Sequence, residues 1–218
     1  PQPILAAEIR GTATMTYADA EPLVSKGAII KLDNHCTVRC YDWDQDGDLD
    51  LIAGDGGGRL WLIKNSGSQT HPVLEEKQPL VAGQKSKWGN SYTGVVLAQL
   101  VGNDLPDLVV GHTRRLVTIH KNIGSAQQPA FEEQSTTIEI QPGCDGRFDL
   151  ADWDADGQQD LITGSFDGIV QWHRNTSSLN KLTFSAGKPF CDIRIAYNSH
   201  PRILDFDGDN KLDLLLGL

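Results

Sequence analysis

Short apolar runs closed by glycine recur along the chain, each entered from a polar stretch: Leu51-Ile52-Ala53-Gly54, Leu108-Val109-Val110-Gly111, Leu161-Ile162-Thr163-Gly164 and Leu214-Leu215-Leu216-Gly217. Runs this short, bounded by turn residues, predict buried strands. Helical readings fail, because no i, i+3, i+4 apolar pattern is sustained and glycine or proline interrupts nearly every window of helical length. The closing glycines are spaced 57, 53 and 53 residues apart, so four units account for the chain.

The first complete unit predicts its elements in order. Cys36 to Tyr41 reads as one strand and Asp50 to Ala53 as a second, ended by Gly54 as a turn residue. Asp55-Gly56-Gly57-Gly58 reads as a hairpin turn, and Arg59 to Lys64 as a third strand whose alternate Leu60 and Leu62 share a face. Val73 to Lys77 predicts a fourth, weaker strand. Corresponding third strands run from Leu116 to Lys121 and from Ile169 to Arg174, and Asn65, Asn122 and Asn175 follow the three in a turn role. Four short antiparallel strands per unit of about 40 to 55 residues is the pattern of a β-propeller blade. The expected fold is therefore all-β, with residues 1–218 forming one propeller domain or a segment of one.

The polar stretches between first and second strands carry the chemistry. Asp42-Trp43-Asp44-Gln45-Asp46-Gly47-Asp48-Leu49-Asp50 sets carboxylates at positions one, three, five and nine with glycine at six. That is the geometry of a loop that wraps a hard cation in oxygen ligands, a backbone carbonyl at position seven completing the shell. Without a cation such crowded carboxylates repel one another. The pattern returns at 152–160 and 205–213, and a degenerate copy runs from Gln99 to Asp107. Three copies in register weigh heavily against a merely solvated acidic turn. The loops lack the twelfth-position carboxylate of a helical calcium sensor and lie between strands, so they read as structural fasteners rather than catalytic groups.

Composition narrows the partners. An apolar fraction of 39% and 22 glycines suit a globular chain rich in tight turns, and no run is long and apolar enough for a membrane span. The formal charge of −10 argues against nucleic acid and anionic membrane, which require a basic face. Cys36, Cys40, Cys144 and Cys191 lack zinc spacing. Cys36 and Cys40 on one strand would stand about 13 Å apart, beyond disulfide reach. They read as buried free thiols, with a Cys144 to Cys191 bridge left open. The chain opens on Pro1, which predicts a removed leader or a cut from a longer chain.

The D-x-D-x-D-G-x-x-D-L-I-x-G units at 42–54 and 152–164 resemble the FG-GAP or VCBS repeats of integrin-α-like propellers and of many secreted bacterial proteins. The resemblance spans all four units and is weak only in Gln99 to Gly111. It implies a secreted, extracellular, cell-surface or periplasmic propeller in which each intact loop holds one calcium ion, about three per chain. The implied ligands are Asp42, Asp44, Asp46 and Asp50 with the Asp48 carbonyl; Asp152, Asp154, Asp156 and Asp160 with the Gln158 carbonyl; and Asp205, Asp207, Asp209 and Asp213 with the Lys211 carbonyl. Asn210 stands where glycine is usual, and asparagine tolerates the left-handed backbone that position needs. Gln99, Val101 and Asn103 replace the first three ligands of the second unit, leaving Asp107 as a structural hydrogen-bond acceptor.

Aligning Pro22-Leu23 with Pro79-Leu80 makes the chain start at a third strand and stop after a second. The N-terminal strands could complete the blade begun at Asp205 and close a four-unit ring. Alternatively the units belong to a seven- or eight-bladed propeller with further blades from the same or another chain, which the resemblance favours. Trp43, Trp153 and Phe206 recur at one loop position as core packing between blades, and His120 and His173 as blade contacts.

A ligand face is expected opposite the metal loops or in the central channel. Its candidates are His35, Arg39, Trp88, Asn90, Tyr92, His112, Arg114, Arg147, His200 and Arg202, with aromatic rings to stack on sugars and arginines to bind hydroxyls or carboxylates. The expected partner is a carbohydrate or an extracellular protein. The competing reading is the propeller portion of a polysaccharide lyase or glycosidase, but no catalytic motif ties these residues together.

Overall fold

The computed structural model describes residues 19–80, 93–100, 105–112, 116–133, 135–140, 146–178, 181–190 and 199–217. A small hairpin pairs β1 (Val24–Ser25) with β2 (Ala28–Ile29). The first blade is the antiparallel sheet β3 (Thr37–Tyr41), β4 (Asp50–Gly54), β5 (Leu60–Ile63) and β6 (Gln78–Pro79), in that spatial order. The second follows as β7 (Gly94–Ala98), β8 (Asp107–Gly111), β9 (Leu116–His120) and β10 (Thr136–Glu139). The third is β11 (Phe148–Ala151), β12 (Asp160–Gly164), β13 (Val170–His173) and β14 (Lys188–Pro189). A fourth sheet holds β15 (His200–Leu204) and β16 (Asp213–Gly217), and no helix occurs among the described residues.

First strands make the joints between blades: β7 packs beside β3, β11 beside β7, and β15 beside β11. This is the all-β blade arrangement of a propeller. Two apolar clusters fill the joints. Trp43, Ile52, Leu60 and Leu62 of the first blade close on Val95, Leu108 and Val110 of the second. Val96, Val109, Val117 and Ile119 of the second close on Phe148, Leu150 and Leu161 of the third. Alternation along each strand supplies both faces, because successive side chains point to opposite sides of the sheet.

The closing glycines are not turn residues. Gly54 and Gly164 are the last residues of their strands, and their reason is close approach. A Cβ on Gly54 would stand 2.3 Å from the Thr93 carbonyl oxygen, and one on Gly164 2.0 Å from that of Ser199. In each case the neighbour is the residue leading into the next blade's first strand. Only glycine lets the sheets stack that tightly.

The fourth strand of the first blade also departs from expectation, lying at Gln78–Pro79 instead of Val73–Lys77. Asn65 holds the expected segment as a loop: its Oδ1 accepts the N–H of Gly67 at 3.0 Å and of Val73 at 2.8 Å. The Glu75 N–H then returns to the Lys64 carbonyl at 2.8 Å. Pro79, which has no N–H to donate, suits the outer edge it occupies.

Packing of the recurrent loop aromatics divides. Trp43 is buried against Phe131 of the next blade, ring centres 5.8 Å apart, and Trp153 lies 4.6 Å from Phe190. Phe206 is instead 55% exposed; among the described residues β16 pairs with β15 alone, and no third strand lies along its other edge. Cys36 and Cys40 are free, as expected, but exposed rather than buried, since they and Val38 face away from the second blade. Cys144 and Cys191 lie outside the described residues, as do residues 1–18, on which closure of the β15–β16 sheet by N-terminal strands depends.

Candidate functional site

The three acidic loops connect β3 to β4, β11 to β12 and β15 to β16, and they repeat one hydrogen-bond scheme. The first carboxylate turns inward: Asp42 accepts the N–H of Asp46 and Gly47 at 3.1 and 3.2 Å, Asp152 those of Asp156 and Gly157 at 2.9 Å each, and Asp205 those of Asp209 and Asn210 at 3.1 and 2.9 Å. The fifth accepts two residues on, Asp46 from Asp48, Asp156 from Gln158 and Asp209 from Lys211. Two residues per loop take the left-handed backbone: Gln45 and Gly47, Ala155 and Gly157, Gly208 and Asn210. Asn210 thus serves where the other loops use glycine, at φ 64°.

This scaffold crowds acid groups. Carboxylate oxygens of Asp42, Asp44 and Asp50 lie within 4.8 Å of one another, as do those of Asp152, Asp154 and Asp156 and those of Asp205, Asp207 and Asp213. Burial pushes the Asp50 and Asp160 carboxyls up, against the pull of backbone N–H groups, and the neighbouring loop carboxylates push the same way. Basic side chains partly offset the repulsion. Lys64 Nζ reaches Asp44 at 2.8 Å, Arg174 reaches Asp154 at 2.7 Å and Asp156 at 2.9 Å, and Lys211 reaches Asp209 at 2.6 Å. Asp44 Oδ1 stays buried without a hydrogen-bond partner among the described residues. An all-oxygen donor set with such an oxygen fits a hard divalent cation.

Residues 152–216 match the family model of the FG-GAP-like repeat. That stretch is an FG-GAP-like repeat. No curated protein sequence matches it. The matched span holds the second and third complete FG-GAP loops, and the hydrogen bonds above extend the same loop to residues 42–50.

The ninth position of the FG-GAP loop has a second task. Asp50 accepts the N–H of Asn65 at 2.7 Å and of Trp43 at 2.8 Å, which ties the loop to the end of β5. Asp160 accepts from Asn175 at 2.7 Å and Asp213 from Phe206 at 2.9 Å. Asp107 keeps the pair in the blade without acidic partners, as expected, accepting from Asn122 at 3.0 Å and Leu100 at 3.2 Å. Asn65, Asn122 and Asn175 all fold their side chains back on the following turn. Asn175 Nδ2 donates to the Gln159 carbonyl at 2.9 Å, which adds a tie to the end of the acidic loop.

Among the expected ligand residues, four converge. Arg39, Arg147, His200 and Arg202 lie on or beside β3, β11 and β15, the innermost strands of three blades. Arg39 Nη2 donates to the Phe148 carbonyl at 3.0 Å, and Arg147 Nε donates to His200 Nε2 at 3.0 Å. His112 is not with them: it is buried in its own blade, its Nε2 2.9 Å from Thr118 Oγ1. His35 is exposed ahead of β3, and Trp88, Asn90, Tyr92 and Arg114 lie outside the described residues. His120 and His173 are buried blade contacts whose Nδ1 atoms face the Glu132 and Ser185 carbonyls.

Asp149 was missed by sequence reasoning. It lies 3.5 Å from Arg202 Nη1 and accepts the Ile203 N–H at 2.8 Å. The available signal was its place in the repeat, since Asp149 faces Ile162 as Arg39 faces Ile52 and Arg202 faces Leu215.

Proposed function

We propose that this protein is an extracellular, calcium-stabilised propeller module that binds a carbohydrate on the inner strands and on the face opposite its FG-GAP loops. The observation that supports the calcium reading is the threefold repetition of one loop scheme around three convergent carboxylates, with Asp44 Oδ1 buried and unpartnered. Asp42, Asp44, Asp46 and Asp50, Asp152, Asp154, Asp156 and Asp160, and Asp205, Asp207, Asp209 and Asp213 would hold the ions, joined by the carbonyls of Asp48, Gln158 and Lys211. A bound divalent ion neutralises the clustered charge and fastens the first two strands of each blade. Among the described residues no helix is long and apolar enough to cross a membrane.

The ligand reading rests on the gathering of polar and basic side chains from three blades, far in sequence, on the first strands of those blades. Isothermal titration of calcium into chelator-stripped protein should give about three equivalents, and a glycan array probed with the loaded protein should return sugar ligands. A melting curve indifferent to chelator removes the calcium reading, and an array without a hit removes the carbohydrate one.

A further inference from the structure

Strand pairing puts the innermost side chains into layers. Thr37 faces Gly54, Gly94 faces Gly111 and His200 faces Gly217, while the Gly164 N–H donates to the Arg147 carbonyl, so these four inner positions share one level. Two residues further along each strand, the next level holds Arg39, Val96, Asp149 and Arg202. Two guanidinium groups therefore meet one carboxylate at the same height on three blades. Arg147 stands directly above, its Nε on His200 Nε2, which leaves that imidazole without a proton on Nε2.

The charge within this layer does not balance. Asp149 is shared between Arg202 Nη1 at 3.5 Å and the Ile203 N–H at 2.8 Å, and Arg39 reaches only a neutral carbonyl, Phe148 O. Arg39 Nε is buried with no hydrogen-bond partner among the described residues. Burial first, and Arg202 second, hold the Arg39 guanidinium down to about 10, although Asp149 pulls the other way. A buried donor on a charged group is costly to leave unmet, and a guanidinium fork matches the two oxygens of a carboxylate. The net negative charge of the whole chain does not oppose this, because exposed charges beyond roughly 8–10 Å are screened at physiological salt.

We propose that Arg39 and Arg202 bind the carboxylate of a small acidic ligand on the inner strands, the sugar form of which is a uronic acid. The inference rests on the carbohydrate reading above only for that sugar form. Arg202 is half exposed, so its replacement leaves the core intact.

The experiment is calorimetric titration of calcium-loaded protein, wild type and Arg202→Gln, with galacturonate, galactose and succinate. Expected are binding of both acids to the wild type, at least tenfold weaker binding to R202Q, and no response to galactose. Succinate binding that depends on Arg202, with no binding of either sugar, upholds the carboxylate site and removes the carbohydrate reading. Galactose bound as well as galacturonate, with R202Q unchanged, does the reverse. Failure of both acids to bind overturns the proposal.

Discussion

The Asp107 carboxylate accepts the backbone N–H of Asn122 at 3.0 Å in the blade whose loop has lost its other acidic positions. Its second oxygen takes the Leu100 N–H, so the ninth loop residue fastens a strand end and a loop start. Replacing Asp107 by alanine leaves two N–H donors unmet beside a residue that is fully buried. The expected cost is about 3 kcal/mol or more, equivalent to roughly 6–12 °C in Tm for a domain of this size, with chelator and without. Asp44→Ala is expected to act differently, removing one of the calcium equivalents while the chelated protein melts almost where wild type does. Calorimetry of both variants with and without chelator checks the pair.

Chelator itself should lower the melting temperature. An ion present at about a hundred times its Kd stabilises by about 2.7 kcal/mol per site, so loss of even one tight site shows as several degrees. Scanning calorimetry across a calcium series measures the slope.

Backbone strain in the loops predicts a pair of opposite effects. Ala155 sits at φ 57° and Gly157 at φ 87°, and a Cβ on Gly157 meets nothing within 4 Å. Gly157→Ala therefore tests conformation alone and should cost about 1 kcal/mol, whereas Ala155→Gly should gain up to about 1 kcal/mol as relief of the left-handed alanine outweighs the added unfolded-state entropy. Denaturant midpoints of the two variants decide it.

Gly54→Ala should be worse than either. The new methyl would lie 2.3 Å from the Thr93 carbonyl, backbone that cannot swing aside, so the first and second blades must part. A loss of about 1–3 kcal/mol is expected, with increased hydrogen exchange in β4 and β7.

Acid should weaken the fold through His112. Burial, and after it His120, lower its pKa from 6.5 to about 4. The unfolded chain binds the proton more readily, so stability is whole above about pH 6.5 and falls as pH drops from there towards about 4. The full penalty is on the order of 3 kcal/mol. His112→Gln should flatten this part of the profile, measured by denaturant unfolding between pH 7 and 4.5 with calcium present.

Repetition made much of this molecule readable in one dimension. The loop carboxylates, the order of first to third strands and the left-handed role of Asn210 are local matters, decided by residues a few positions apart, and they recur often enough to stand out. Asp107 was legible for the same reason, as the survivor of a pattern whose other members had gone.

What pairs across blades could not be read that way. Gly54 and Gly164 are governed by a carbonyl that arrives with the following unit, Phe206 is left exposed by what does not cover it, and Cys36 and Cys40 face outward because their side of β3 has no described neighbour. Asp149 meets Arg202 across 53 residues, and Arg39 meets Phe148 across 109. Sequence alone determined the blade and its cation loop, since hydrophobic alternation and turn chemistry act within one unit. Tertiary structure decided which side chains share the inner strands, because that depends on the register at which separate sheets stack.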